Sequence, residues 1–159
     1  MNELGTLHES NGRYELRFER IYSRDKEEIF DIITNPEYFK QWYPFATGEM
    51  DLKVGGEIQF DDGEGTKYKA TITELEMPSV FAFREIDDLI HISLEGENGG
   101  CKMTFVHTFD DISWAVNTAA GWHRCLDVLG QIINGQPINW HDNAAVLREV
   151  YKEAFNSSN

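Results

Sequence analysis

The strongest constraint on the fold is one long amphipathic helix, predicted over Ala115–Gly135. Apolar side chains recur there at helical spacing and form one wide stripe, made of Ala115, Ala119, Trp122, Leu126, Leu129 and Ile133. Such a stripe must be buried, and its only large partner is the sheet predicted from the residues before it. Because small Ala119 and Gly121 lie beside the large Trp122, we expect the helix–sheet interface to leave a hollow.

Strand patterns fill most of the chain before this helix. Tyr14, Leu16 and Phe18 alternate with charged residues, which is typical of a half-buried strand. Two short helices follow, the first capped by Ser23 and the second starting after the break at Asn35-Pro36. Turn signals then separate six further strands: Glu49–Val54, Glu57–Asp61, Lys67–Glu76, Val80–Ile86, Leu89–Glu95 and Cys101–Phe109. The order predicts an α+β fold, in which a curved antiparallel sheet of about seven strands wraps a long C-terminal helix.

Composition limits the partners. The net charge is −14 at pH 7, so the surface should repel nucleic acids and anionic membranes. Apolar runs all fall short of the roughly 20 residues that span a bilayer, and the N-terminus lacks the pattern of a signal peptide. We therefore expect a cytoplasmic protein that neither binds nucleic acid nor inserts into a membrane.

The chain divides into a flexible leader at 1–12, a main domain at 13–136 and an extension at 137–159 whose short helix packs on the same domain. Cys101 and Cys125 show no metal-ligand spacing and are predicted to be buried free thiols. His107 and His123 lack a third ligand for a metal. Known catalytic and phosphate-binding motifs do not occur in the sequence, so we predict no cofactor and no metal.

Several short motifs resemble one family. Four segments are similar in order and spacing to bacterial homologues of the activator of heat shock protein 90 ATPase. They are Phe18-Glu19-Arg20, Trp42-Tyr43-Pro44, the run from Asp51 to Glu57 and the run from Thr118 to Leu129. These proteins belong to the START-like (SRPBCC) superfamily. The resemblance covers about residues 13–136. It implies the helix-grip fold, a deep apolar cavity between sheet and helix, and a glycine before Trp122 that lets the helix pass close to the sheet.

The resemblance also implies that the cavity binds a hydrophobic or amphipathic small molecule, lipid-like or polycyclic aromatic. The predicted ligand-binding residues lie on facing surfaces of the sheet, the second helix and the long helix: Trp42, Phe45, Phe60, Tyr68, Phe83, Ile92, Met103, Phe105, His107, Trp122 and Leu126. Trp42, Tyr43 and Phe45 are candidates for a lid over the cavity mouth, or for core at the end of the sheet. No catalytic residue is assigned, and binding without catalysis is the favoured reading.

Alternatives remain open. His107 is expected to point toward the helix, either as a satisfied core histidine or as a base. Glu85 would be a buried carboxylate with a raised pKa if the face of Phe83 looks inward, whereas the opposite register would bring Arg84 inside. An enzyme of the cyclase or hydrolase kind would need His107, Glu85 or Tyr68 to converge. A stress-related protein that contacts a chaperone is the third possibility.

Overall fold

The computed structural model describes residues 4–156 and shows one antiparallel sheet of eight strands. Their bounds are β1 Thr6–Ser10, β2 Arg13–Tyr22, β3 Ala46–Met50, β4 Glu57–Asp61, β5 Lys67–Glu76, β6 Val80–Glu85, β7 Asp88–Glu97 and β8 Gly100–Phe109. They are ordered β1-β2-β8-β7-β6-β5-β4-β3 across the sheet. The helices are α1 Lys26–Thr34, α2 Pro36–Trp42, α3 Ala115–Ile133 and α4 Ala144–Asn156, with a single 3₁₀ turn at Ile112–Trp114 before α3. The helix-grip α+β fold is therefore confirmed.

Strand β1 lies within the segment predicted as a flexible leader over 1–12, of which residues 1–3 lie outside the described residues, and it gives the sheet one strand more than predicted. Thr6–Ser10 pairs with β2 in regular antiparallel register. Most of its side chains are exposed, so this edge strand lacks the alternation of apolar and polar residues that reveals a half-buried strand. The tight Asn11-Gly12 turn, where both residues have positive φ, is the sequence signal that a hairpin forms here.

Helices α1 and α2 are set by their caps. The Asp25 carboxylate accepts a hydrogen bond from the Glu28 amide at 3.0 Å, so the N-cap lies two residues after the predicted Ser23. Asn35 ends α1, and its side chain caps α2 in front of Pro36. The two helices cross between β2 and β3 and bring the aromatic end of α2 against the inner face of the sheet.

Alternation along the central strands places one residue in two against α3. On β8, all five inward side chains are buried: Cys101, Met103, Phe105, His107 and Phe109. The α3 stripe from Ala115 to Ile133 is buried against this face, as predicted. Gly121 is the exception to the expected close approach, because it faces away from the sheet and a methyl group built there would meet no atom within 4 Å. Each large apolar side chain buried this way contributes roughly 1.5–3 kcal/mol.

Helix α4 packs against α3 and contacts the segment before β1. Its Tyr151 ring is fully buried, and its hydroxyl accepts a hydrogen bond from the Gly5 amide at 2.9 Å. The same hydroxyl lies 2.8 Å from Nδ1 of His123 on α3. None of the helices within residues 4–156 is long and apolar enough to cross a membrane.

Candidate functional site

The seam between the sheet and α3 is lined by aromatic rings. Trp122 contacts Phe105 of β8 at a centroid distance of 4.8 Å and Tyr43, at the end of α2, at 5.2 Å. Tyr43 in turn contacts Phe60 and Phe83, each at 5.5 Å. In this structure, direct ring contacts therefore fill the seam beside Trp122, although the sequence predicts a hollow there.

His107 is the first polar group at one end of this aromatic cluster. The Trp122 indole N–H donates to Nδ1 of His107 at 2.8 Å. Since Nδ1 accepts, Nε2 carries the ring proton, and it lies 2.8 Å from a carboxylate oxygen of Asp88. His107 is only 7% exposed, and both ring nitrogens have partners. The helix, the sheet and the β6–β7 hairpin are thus joined through one imidazole.

Glu85 is the second polar group, and it faces inward as one of the two registers predicts. The Tyr43 hydroxyl donates to its carboxylate at 2.6 Å. The Tyr68 hydroxyl also acts on this carboxylate and favours its charged form. Burial raises the pKa of Glu85, while the two phenols and nearby His107 act to lower it. Burial and the Glu85 charge raise the pKa of both tyrosines, so they remain neutral donors. Arg84 lies on the exposed face.

An open cleft of about 440 Å³ lies beside these groups, where the β6–β7 hairpin meets the start of α3. We call it the His107 cleft, and its lining includes Glu85, Asp88, His107, Phe109, Trp114 and Thr118. Glu85 and Asp88 face each other across the hairpin, joined by a two-residue loop. In that loop, Ile86 has φ 59°, a conformation that is costly for a β-branched side chain. The strained turn at Ile86 thus lies between the two carboxylates, Glu85 and Asp88, at the mouth of the cleft.

The arrangement defines what chemistry is available. His107 has both nitrogens engaged, which is the satisfied core histidine of the two predicted readings. Glu85 is the carboxyl group of the site whose pKa burial raises. Cys125 is buried, and burial raises the pKa of its thiol to about 12, so it does not present a thiolate at neutral pH. Residues 4–156 contain no group of three or more His, Cys, Asp or Glu side chains placed to hold a metal ion.

The predicted ligand-binding residues divide into three groups. Those that meet around Trp122 and Tyr43, directly or through one further ring, are Trp42, Phe60, Tyr68, Phe83, Phe105 and His107. Ile92, Met103 and Leu126 are buried in the same core without a ring of their own. Phe45 does not join them: it has φ 64° and is 54% exposed.

Sequence reasoning missed two contributors. Asp88 carries no local signal of a site, because its pairing with His107 depends on the register of β7 against β8. Tyr43 was read only as a candidate lid or core residue; the signal for its position is Pro44, which ends α2 and turns the tyrosine into the seam. The indole N–H of Trp42 is buried with no hydrogen-bond partner.

An open eight-stranded antiparallel sheet packed against the long helix α3, with polar groups at one end of the seam, defines a helix-grip protein. The chain belongs to the family described as Activator of Hsp90 ATPase homolog 1-like protein, which matches residues 24–134. Comparison with curated proteins gives no match.

Solved structures share this fold. A conserved protein of unknown function from Enterococcus faecalis superposes with a TM-score of 0.83 at 18% identity, covering 96% of this chain and 91% of that one. CalU16 from Micromonospora echinospora gives 0.73 at 16% identity, covering 98% and 96%. The Aha1 dimer from Colwellia psychrerythraea gives 0.63 at 16% identity, covering 75% and 95%. At such identities the likeness establishes the fold alone.

Proposed function

We propose that the protein binds a hydrophobic or amphipathic small molecule, lipid-like or polycyclic aromatic, at the end of the sheet–helix seam that opens into the His107 cleft. One observation carries this proposal: Glu85 and His107, each held by hydrogen bonds, converge beside a cluster of aromatic rings. Ligand sites typically combine an apolar wall with a few fixed polar groups that orient the guest.

The unpaired indole N–H of Trp42 adds to this support. A buried donor without an acceptor is energetically costly, and a ligand oxygen can relieve that cost. The apolar wall supplies the affinity. Burying about 300 Å² of ligand surface at roughly 25 cal/mol per Å² gives about 7 kcal/mol before the costs of ordering, which allows micromolar binding.

Access to the seam passes Tyr43. Because its ring fills the space between Phe60 and Trp122, a flat guest either stacks in the His107 cleft or takes the place of this ring. Displacing Tyr43 breaks its bond to Glu85, so a guest that enters the seam must offer Glu85 a donor of its own. Hydroxylated aromatic compounds meet this requirement, whereas plain hydrocarbons do not.

Binding can be tested by titrating the protein with a hydroxylated flavone and following tryptophan fluorescence. Thr118 lines the cleft, and the Thr118→Phe variant should fill it and weaken binding about tenfold or more. The neighbouring Asn117 is exposed on the same helix, so Asn117→Phe is the matched control and should bind as the wild type does. Absence of saturable quenching in the wild type, or equal binding by both variants, would overturn the proposal.

Acid–base catalysis on a bound guest, of the cyclase or hydrolase kind, is the second candidate. The raised pKa of Glu85 favours it, because a carboxyl group that titrates nearer neutrality is suited to proton transfer. Glu85→Gln should then abolish turnover of a polyketide-like or ester substrate, and because Gln keeps an acceptor oxygen, flavone affinity should fall far less than turnover. Equal turnover by the variant and the wild type would remove this candidate.

Two further proposals concern the cell compartment and a protein partner. Cys101 and Cys125 are both free and buried, which supports a reducing compartment, and we place the protein in the cytoplasm. Contact with a chaperone of the heat shock protein 90 class stays a prediction. A pulldown with that chaperone from the same cell tests it.

A further inference from the structure

We propose a second, independent ligand site: a groove in which Arg20 binds the carboxylate of a singly charged alkyl acid. The groove has a volume of about 530 Å³ and runs between β2 and the C-terminal half of α3. We call it the Arg20 groove. Arg20 pairs with Met103 and Leu16 with His107, so the two sites lie four residues apart along β8, about 13 Å at the rise of a strand.

Arg20 is a buried cation whose guanidinium is only partly hydrogen-bonded. It is 7% exposed, and Nη1 donates only to the backbone carbonyl of its neighbour Glu19, at 2.9 Å. Nη2 is buried with no hydrogen-bond partner. Its guanidinium lies 5.8 Å from the centre of the Phe18 ring, and within residues 4–156 it forms no ion pair. A buried charge is costly unless a partner neutralises it, and a ligand carboxylate would do so with two parallel hydrogen bonds.

The rest of the groove suits an alkyl chain. Tyr22 and Leu126 provide apolar walls, and Gly130 leaves space between them. A methyl group built on Gly130 would approach nothing closer than the Tyr22 ring, at 3.9 Å. Glycine in a helix interior is unfavourable relative to alanine, so the gap has a stability cost.

Flanking charges set the selectivity. Glu19 and Asp127 also line the groove, with Glu19 3.7 Å from Lys102 and Asp127 3.9 Å from His123. Two carboxylates near one guanidinium repel a doubly charged phosphate more than a singly charged carboxylate. The site should therefore prefer decanoate to decyl phosphate, and also to decanol, which lacks the charge.

Calorimetric titration with decanoate tests the proposal in the full chain. Arg20→Met keeps an apolar stem of similar length in place and should weaken decanoate binding about tenfold to a hundredfold, while decanol binding stays unchanged. Arg17 is exposed on the same strand, so Arg17→Met is the matched control and should change neither. Failure of the wild type to prefer decanoate over decanol, or equal decanoate affinity in the Arg20→Met variant, would overturn the proposal.

Filling the groove gives a second test that leaves Arg20 intact. Gly130→Leu should block decanoate and improve the helix, whereas Gly121→Leu, on the exposed side of α3, should bind decanoate normally. Unchanged decanoate binding by Gly130→Leu would overturn the location of the site. Thr118→Phe should bind decanoate as the wild type does, although it should bind the flavone more weakly. The flavone titration therefore tests the His107 cleft, and the decanoate titration tests the Arg20 groove separately.

Discussion

Removing the hydroxyl group of Tyr43 should destabilise the protein in a way that depends on pH. Tyr43→Phe keeps the buried ring and its contacts but deletes the donor that lies 2.6 Å from Glu85. A hydrogen bond to an ionised group contributes about 1.5–3 kcal/mol, and one to a neutral group about 0.5–1.5 kcal/mol. The loss should therefore be largest where Glu85 is ionised and smallest where it is protonated.

The sign follows from the pKa of Glu85. Burial raises that pKa, so Glu85 favours the folded state most below its unfolded-state pKa, and this contribution is lost as the pH rises through the folded-state pKa. The Tyr43 hydroxyl opposes the shift, because it stabilises the ionised form. Tyr43→Phe should raise the Glu85 pKa further and steepen the fall in stability with rising pH.

Urea unfolding measures the effect from about pH 4.5, the ordinary pKa of a glutamate, up to pH 8. Tyr38 is the matched control, because it lies on α2, which ends just before Tyr43, and is 37% exposed. Tyr38→Phe should change the free energy of unfolding by less than about 0.5 kcal/mol at every pH. A pH-independent loss in Tyr43→Phe, or one no larger than the control, would refute the proposed role of the Tyr43–Glu85 bond.

Two further substitutions test other parts of the site and fold. Trp122→Phe removes the donor to His107 and leaves a buried acceptor unpaired. Thermal or urea unfolding should show a loss of stability of about 1–3 kcal/mol in addition to the loss caused by the smaller ring. An additional loss under about 0.5 kcal/mol would show that this bond is unimportant. Gly56→Ala would place a methyl group 1.9 Å from the Asp51 carbonyl oxygen and should destabilise the protein strongly. Gly96→Ala is the control, because the space around Gly96 is open, and it should leave the melting temperature unchanged. Equal melting temperatures for the two variants would contradict the geometry.

Local patterns predict the elements that bury one face. The α3 stripe gives the inward side correctly, since an apolar period of 3.6 records which face is buried, whereas the alternation along β6 left two registers open, of which the one with Phe83 and Glu85 inward is observed. The apolar period does not predict strand β1, because β1 is an edge strand with mostly exposed side chains. Arg20 was overlooked although it continues the inward row of Leu16 and Phe18 on β2: an arginine in an apolar row is easily taken for a break in the pattern.

The site itself depends on distances that sequence does not encode. His107 was expected to face the helix, and it does, but its bonds to Trp122 and Asp88 join residues 15 and 19 positions away. The filled seam beside Trp122 also could not be read from small residues on α3. Gly121 faces solvent, and Tyr43 comes from a different helix to occupy the space.

The most direct test of ligand binding at the seam is a proton–nitrogen NMR titration of the indole N–H signals with a hydroxylated flavone. The chain has four tryptophans, so four such signals are expected and can be assigned with single Trp→Phe variants. A guest at the seam should shift the signals of Trp122, Trp42 and Trp114, the last of which lines the His107 cleft, saturably and leave that of Trp140 in place. Saturable shifts confined to Trp140, or none at any indole, would contradict it.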